Sequence, residues 1–282
     1  MASEESLPAS SEEQAPKPLR RFRMEVCFDG TDYHGWQLQP NGITVQEVLE
    51  DRLSRLFGGV KLRVQGCSRT DAGVHALSLV ASFAAPESPY IPDFKIKRAL
   101  NRLLPPSIKV RDVAQVDFKF DARSHAMGKA YAYVINTGDL NPFNSRWSWQ
   151  MTDFNRIDAV EEAIKAVVGT HDFSSFTVER EELDDPVRSI FRAEVKTFGP
   201  LVCLHFIGDG FLYKMVRGMV GTLVDIGRGR LEPSEMARIL AACDRRVARD
   251  NAPADGLFLL KVFYEHGAWE SHRLEQPPFF ML

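Results

Sequence analysis

Apolar and polar positions alternate from Arg21 to Phe28 (RFRMEVCF), which predicts a strand. The period then changes: in TVQEVLEDRLSRLFGG, Val45, Val48, Leu49, Leu53 and Leu56 recur at helical spacing. Thr44 is placed to cap that helix, Glu47 completes a capping box, and Gly58 ends it. KLRVQGC (61–67) and LSLVASFAA (77–85) predict two further strands. DFKIKRALNRLL predicts a helix capped by Asp93 and stopped by Pro105 and Pro106, and SIKVRDVAQV (107–116) a strand. The order is β-α-β-β-α-β, that of a ferredoxin-like split unit.

The same order then recurs. KAYAYVIN (129–136) predicts a strand, and NRIDAVEEAIKAVVG a helix ended by Gly169. SIFRAEVKTF (189–198) and LVCLHFIG (201–208) predict strands joined by a Gly-Pro turn. FLYKMVRGMVGTLVDIG (211–227) predicts a long, largely apolar helix, PSEMARILAACD another, and GLFLLKVFYE (256–265) the last strand. The expectation is an α+β protein of two ferredoxin-like domains, residues 20–117 and 118–265. Their antiparallel sheets would lie side by side, with a site in the cleft between them. Residues 1–19 read as a disordered acidic tail, and 266–282 as an extension with no assigned role.

Charge refines this picture. The net charge of -3 is carried by the tail, where Glu4, Glu5, Glu12 and Glu13 face only Lys17. The rest of the chain is neutral but uneven. Between Lys95 and Lys129, nine basic residues face only Asp112, Asp117 and Asp121, a stretch suited to a phosphate backbone or simply to a solvated face. No apolar run is long enough to span a bilayer. The four cysteines contain no CxxC pair and suit a reducing compartment, so the expected location is cytoplasmic; an organelle reached with a segment since removed stays open.

The candidate chemistry lies in SRTDAGVHA (68–76). Asp71 beside Arg69 can serve as nucleophile or base, though Asp-Ala-Gly is also ordinary turn chemistry. Tyr131 and Tyr133 alternate with small residues and share a strand face, as half-buried aromatics or as phenols able to stack or exchange a proton. Arg217 sits in a helix apolar almost all round, and a buried Arg requires a carboxylate partner. His205 reads as core, and the seven histidines show no metal-ligand spacing. There is no GxxxxGK[ST], GxGxxG or GxSxG, so neither a metal nor a dissociable cofactor is expected.

FDGTDYHGWQ (28–37), GCSRTDAGVHA (66–76) and FLYKMVRGMVG (211–221) together resemble the TruA family of tRNA pseudouridine synthases. The resemblance spans residues 22–265 and includes VQEVLE, ALNRLLPPSI, KAYAYVIN, GTHDFSSF and DGLFLLKV. It implies two ferredoxin-like domains in one continuous sheet, a homodimer, and isomerisation of uridine to pseudouridine in the tRNA anticodon stem-loop. By matching motif, Asp71 would be the catalytic aspartate and Arg217 its partner. Tyr131 would stack on the uracil and help move a proton. Arg69 would hold the target base extruded, and Leu257 would pack against it. Lys129 is the one basic residue that MGKAYAY supplies before the tyrosine, where the family often has more than one. An inactive RNA-binding paralogue or tRNA-folding chaperone is the alternative. A glycosidase would need a second carboxylate within about 5–10 Å of Asp71, and none stands out.

Overall fold

The computed structural model describes residues 18–139, 141–142, 144–178 and 185–281; all but the last two residues of the predicted acidic tail lie outside them. The first half runs β1 (Leu19–Phe28), α1 (Val45–Leu56), β2 (Val64–Gly66), β3 (His75–Pro86), α2 (Asp93–Leu103) and β4 (Ile108–Val116). The second runs β5 (Gly128–Asn136), β6 (Trp149–Gln150), α3 (Ile157–Ala163), β7 (Gly169–Asp172), β8 (Val187–Phe198), β9 (Leu201–Gly208), α4 (Met215–Gly227), α5 (Glu235–Ala242) and β10 (Leu257–Phe263). The described strands form one mostly antiparallel sheet in the order β4-β1-β3-β10-β5-β9-β8-β7, with β2 on β3 and β6 on β5.

The halves meet where β10 runs parallel to the start of β3, pairing His75 with Phe258 and Ala76 with Leu259. β1 lines one edge of β3 along its length, so β2 and β10 divide the other. The buried residues of all five helices join one core on one face of the sheet, with Leu49 and Leu53 of α1, Leu100 of α2 and Met219 of α4 at zero exposure. A second cluster lies on the opposite face. It combines Ala130, Ala132, Val134, Cys203, Phe258 and Leu260 with Leu274 of the C-terminal extension, and Trp269 and Phe279 pack on it.

Most predicted elements are present, and the differences have local causes. Thr44 caps α1 by accepting the Glu47 amide at 3.2 Å. Asp93 is the first residue of α2 rather than its cap; Pro92 precedes it, and the Asp93 carboxylate takes the Phe94 amide. The apolar helix begins at Met215 instead of Phe211, because Lys214 adopts a left-handed conformation at φ 58° and breaks the helical run. The helix predicted from Asn155 to Gly169 shortens to α3 and a tighter 3-10 turn at Ile164–Val167. KLRVQGC yields only β2, and the short β6 and β7 have too few residues to display a period. The extension at 266–282 carries no period either, yet it covers a sheet face.

Candidate active site

The connection from β2 to β3 carries Ser68, Arg69, Thr70 and Asp71, and it is clamped from three sides. The segment after β1 runs against it: Trp36 donates its amide to the Thr70 carbonyl at 3.1 Å, and Gly73 donates to the Tyr33 carbonyl. This approach is backbone on backbone. A Cβ on Gly30 would collide with the Val74 carbonyl, and one on Gly35, at φ +84°, with the Thr70 carbonyl. The glycines of FDGTDYHGWQ therefore hold the shape of the loop that follows. On the second side, His75 accepts the Gly30 amide at Nδ1 (3.1 Å), and its Nε2 hydrogen-bonds the Asp255 carbonyl (3.0 Å). Its ring stacks on Phe258 with centroids 4.6 Å apart. His75 thus ties the loop to the parallel seam between the halves.

The third side comes from α4. Arg217 reaches Asp71 Oδ2 through a guanidinium nitrogen at 2.6 Å, and its Nε donates to the Ala252 carbonyl at 2.7 Å. The side chains of Arg217 and Asp71 are 15% and 12% exposed, so each is the other's principal charge compensation. The buried Arg expected from the apolar helix has its carboxylate, and that carboxylate is Asp71. Asp71 Oδ1 makes no hydrogen bond among the described residues.

β5 supplies the aromatic wall. Tyr131 is 6% exposed, meets Phe211 edge to face at 5.0 Å, and its phenol shares a 2.9 Å hydrogen bond with the Ser68 hydroxyl. Burial pushes the Tyr131 phenol well above its ordinary pKa; the Ser68 bond opposes this, while the nearby Asp71 charge adds to it. Tyr133 is fully buried and donates to the Pro253 carbonyl at 2.9 Å. Lys129 donates to the Cys67 carbonyl at 2.9 Å, and burial draws its pKa below the usual lysine range. Leu257 opens β10 in register with Tyr133 and is buried. Arg69 is exposed and makes no hydrogen bond or ion pair among the described residues.

The fold thus gathers Asp71, Arg217, Tyr131 and Lys129 around one loop, sets Leu257 at the neighbouring strand end, and leaves Arg69 facing solvent. Sequence reasoning missed Ser68, His75 and Phe211 as parts of this site. Ser68 and His75 stand in the same motif as Asp71, but their partners lie 63 and 180 residues away in the chain. His205 is core, as expected, with Nδ1 3.1 Å from Glu194. Among the described residues no group of three or more His, Cys, Asp or Glu is placed to hold a metal, and no helix is long and apolar enough to cross a membrane. Cys27, Cys67 and Cys203 are buried free thiols. Of the basic stretch, Lys95, Arg98, Arg102, Lys109 and Arg111 are exposed.

The profile of the family described as tRNA pseudouridine synthase matches residues 25–123 and 163–265, and so includes the loop and α4. The tRNA pseudouridine synthase A of Geobacillus kaustophilus is 42% identical over 248 residues, covering 87% of this chain and 95% of that protein. That of Exiguobacterium sibiricum is 44% identical over 246 residues, covering 87% and 97%. A solved structure of a Cbf5-Nop10-Gar1 complex aligns at 12% identity and a TM-score of 0.37 over 84% of this chain and 48% of that one, a likeness too loose to bear on the fold. The chain belongs to the tRNA pseudouridine synthase family.

Proposed function

We propose that this chain, an isomerase of that family, converts uridine to pseudouridine in the anticodon stem-loop of tRNA, acting in the cytoplasm as a homodimer. In this reading each chain is built of two ferredoxin-like units, residues 20–117 and 118–265. Family membership supports the reaction and tRNA as partner. The observation that carries the residue assignment is the 2.6 Å contact between Arg217 and Asp71, made across 146 positions of sequence.

The geometry supports a division of labour. Arg217 holds Oδ2 of Asp71, which leaves Oδ1 to meet the ribose. The carboxylate attacks C1′ or assists departure of the base, and the N-glycosidic bond breaks. The uracil turns, C5 bonds to C1′, the C5 proton is lost and N1 gains one. The reaction is an isomerisation and consumes no oxidant or reductant. Extruding a stacked base costs a few kcal/mol, so a pocket must receive it. Tyr131 and Leu257 offer the aromatic and apolar surfaces, and the exposed Arg69 is placed to hold the base out of its stack. Lys129 braces the loop through the Cys67 carbonyl while adding positive charge beside the RNA. The exposed cations of α2 and β4 suit a backbone read by shape rather than by sequence.

The test is incubation of the protein with unmodified tRNA transcript, followed by carbodiimide-dependent primer extension to map pseudouridine. Modification of anticodon-stem uridines by wild type, abolished in Asp71→Asn, is the expected result. No modification by wild type sinks the assignment and favours an inactive RNA-binding paralogue; an Asp71→Asn variant as fast as wild type sinks the catalytic role of Asp71.

A further inference from the structure

Tyr131 Oη has one hydrogen-bond partner among the described residues, the Ser68 hydroxyl at 2.9 Å. The phenol is buried, Phe211 closes one side of the ring edge-on, and the Asp71 carboxylate lies nearby without a hydrogen bond to it. Burial holds the phenol in its protonated form, so it cannot serve as a base by first releasing its proton to bulk water. A phenol that accepts a proton must therefore pass its own onward at the same moment. Asp71 is a poor receiver, because Arg217 occupies Oδ2 and the sugar is expected at Oδ1. Ser68 is suited to the task. It is only half-buried, it lies three residues from Asp71, and it can donate or accept. The residue before it is anchored twice: the Cys67 amide donates to the Val80 carbonyl at 2.8 Å, and Lys129 holds the Cys67 carbonyl at 2.9 Å.

We propose that Ser68 is a positioning residue of the isomerisation, whose hydroxyl aims the Tyr131 phenol and relays its proton to solvent as the phenol removes the proton from C5. The inference rests on the reading of Tyr131 given above. In the step, the C5–H bond breaks and its electron pair returns to the uracil ring. The C5 proton bonds to the phenol oxygen, the phenol's own proton passes to Ser68 Oγ, and the Ser68 proton passes to water. The C5–H pair re-forms the C5=C6 bond, the C6=N1 pair moves onto N1, and N1 takes a proton from water. The protein ends as it began, and no charge accumulates.

The experiment compares full-length wild type, Ser68→Ala, Ser68→Thr and Tyr131→Phe on tRNA transcripts carrying ordinary or 5-deuterated uridine, each variant checked by thermal melting. Ser68→Ala is expected to lower kcat by roughly 10- to 100-fold, no more than the low end of the contribution of a direct general acid or base, as fits a residue acting through Tyr131. KM for tRNA stays within about twofold, and the 5-deuterium isotope effect rises as loss of the C5 proton becomes rate-limiting. Ser68→Thr, which restores the hydroxyl, recovers most of the rate and the wild-type isotope effect. A Ser68→Ala enzyme at wild-type kcat, or a slowed one whose isotope effect matches wild type, overturns the proposal. The Tyr131→Phe arm separates the two readings. If that variant is slow while Ser68→Ala is not, only the role of Ser68 fails; if it runs at the wild-type rate, the role of Tyr131 fails with it.

Discussion

The two faces of β5 share a backbone and almost nothing else. On one face, Tyr131, Tyr133 and Ile135 join the helix-covered core, and both phenols are spent on named partners. On the other, Ala130, Ala132 and Val134 lie under the C-terminal extension, where small side chains let aromatic rings come close. Trp269 there stacks on Phe191 at 4.3 Å, and Trp147 stacks on Phe279 at 5.8 Å. Each face also holds a carboxylate with a basic partner. Asp71–Arg217 joins a loop to a helix from the other half, beside a phenol and a hydroxyl, whereas Glu194–His205 joins neighbouring strands. Burial and pairing alone would not have singled out Asp71 as the proposed reactive carboxylate. Among the described residues it differs from Glu194 in having an oxygen without a hydrogen-bond partner and further polar function around it.

If the faces are divided in this way, stability and chemistry should separate by mutation. Removing residues 266–282 uncovers Phe258, Leu260 and Phe263, and the loss of Leu274, Trp269 and Phe279 should cost about 5 kcal/mol of stability. Urea unfolding measures this, and kcat per folded molecule should stay within about twofold. Asp71→Asn should weigh on chemistry more than on stability, lowering kcat by roughly a thousandfold, about 4 kcal/mol in barrier, and costing about 2 kcal/mol of stability because the Asn oxygen can still accept from Arg217 while its charge goes uncompensated. Arg217→Ala should blur the division. It strands a largely buried carboxylate, so about 3 kcal/mol of stability should go together with most of the pseudouridine formation.

The smallest effect expected is on pH dependence. Burial, reinforced by repulsion from the neighbouring His205, Lys261, Arg192 and Arg273, lowers the His272 pKa from 6.5 to about 4. The folded value lies below the unfolded one, so the stability associated with neutral His272 is complete above about pH 6.5. It is lost as pH falls from there toward 4. Glu194, lowered to about 2, acts in the same direction only below about pH 4.5. Between pH 7 and 5, wild type should therefore lose about 1 kcal/mol after allowance for partial exposure, and His272→Gln clearly less. Equal losses in urea titrations of the two proteins would remove His272 from the account.

Much of this was readable in the chain because period reports burial. β1 alternates, the central strands β3, β5, β9 and β10 read as near-continuous apolar runs, α1 shows its stripe and its cap, and a guanidinium inside an apolar helix demands a carboxylate. Other features depend on contacts between residues far apart. Gly30 and Gly35 matter because the β2–β3 loop lies against them, Ser68 because Tyr131 stands opposite, and His75 because Asp255 does. The extension at 266–282 has no period, since it packs as irregular chain with isolated aromatic anchors. The start of α4 was misplaced because Phe211 and Leu212 are as apolar as the helix that follows them.

The left-handed turn at Lys214 works as an angular setting. An α-helix advances about 100° per residue, so the residue at which α4 begins decides the azimuth of every side chain it carries. With Met215 first, Arg217 faces Asp71, and Phe211, left out of the helix, is free to meet Tyr131. Adding or deleting one residue between Met215 and Arg217 would leave an equally apolar helix whose arginine points about 100° elsewhere. The segment would look unchanged in hydropathy while its one charge had turned away from the loop.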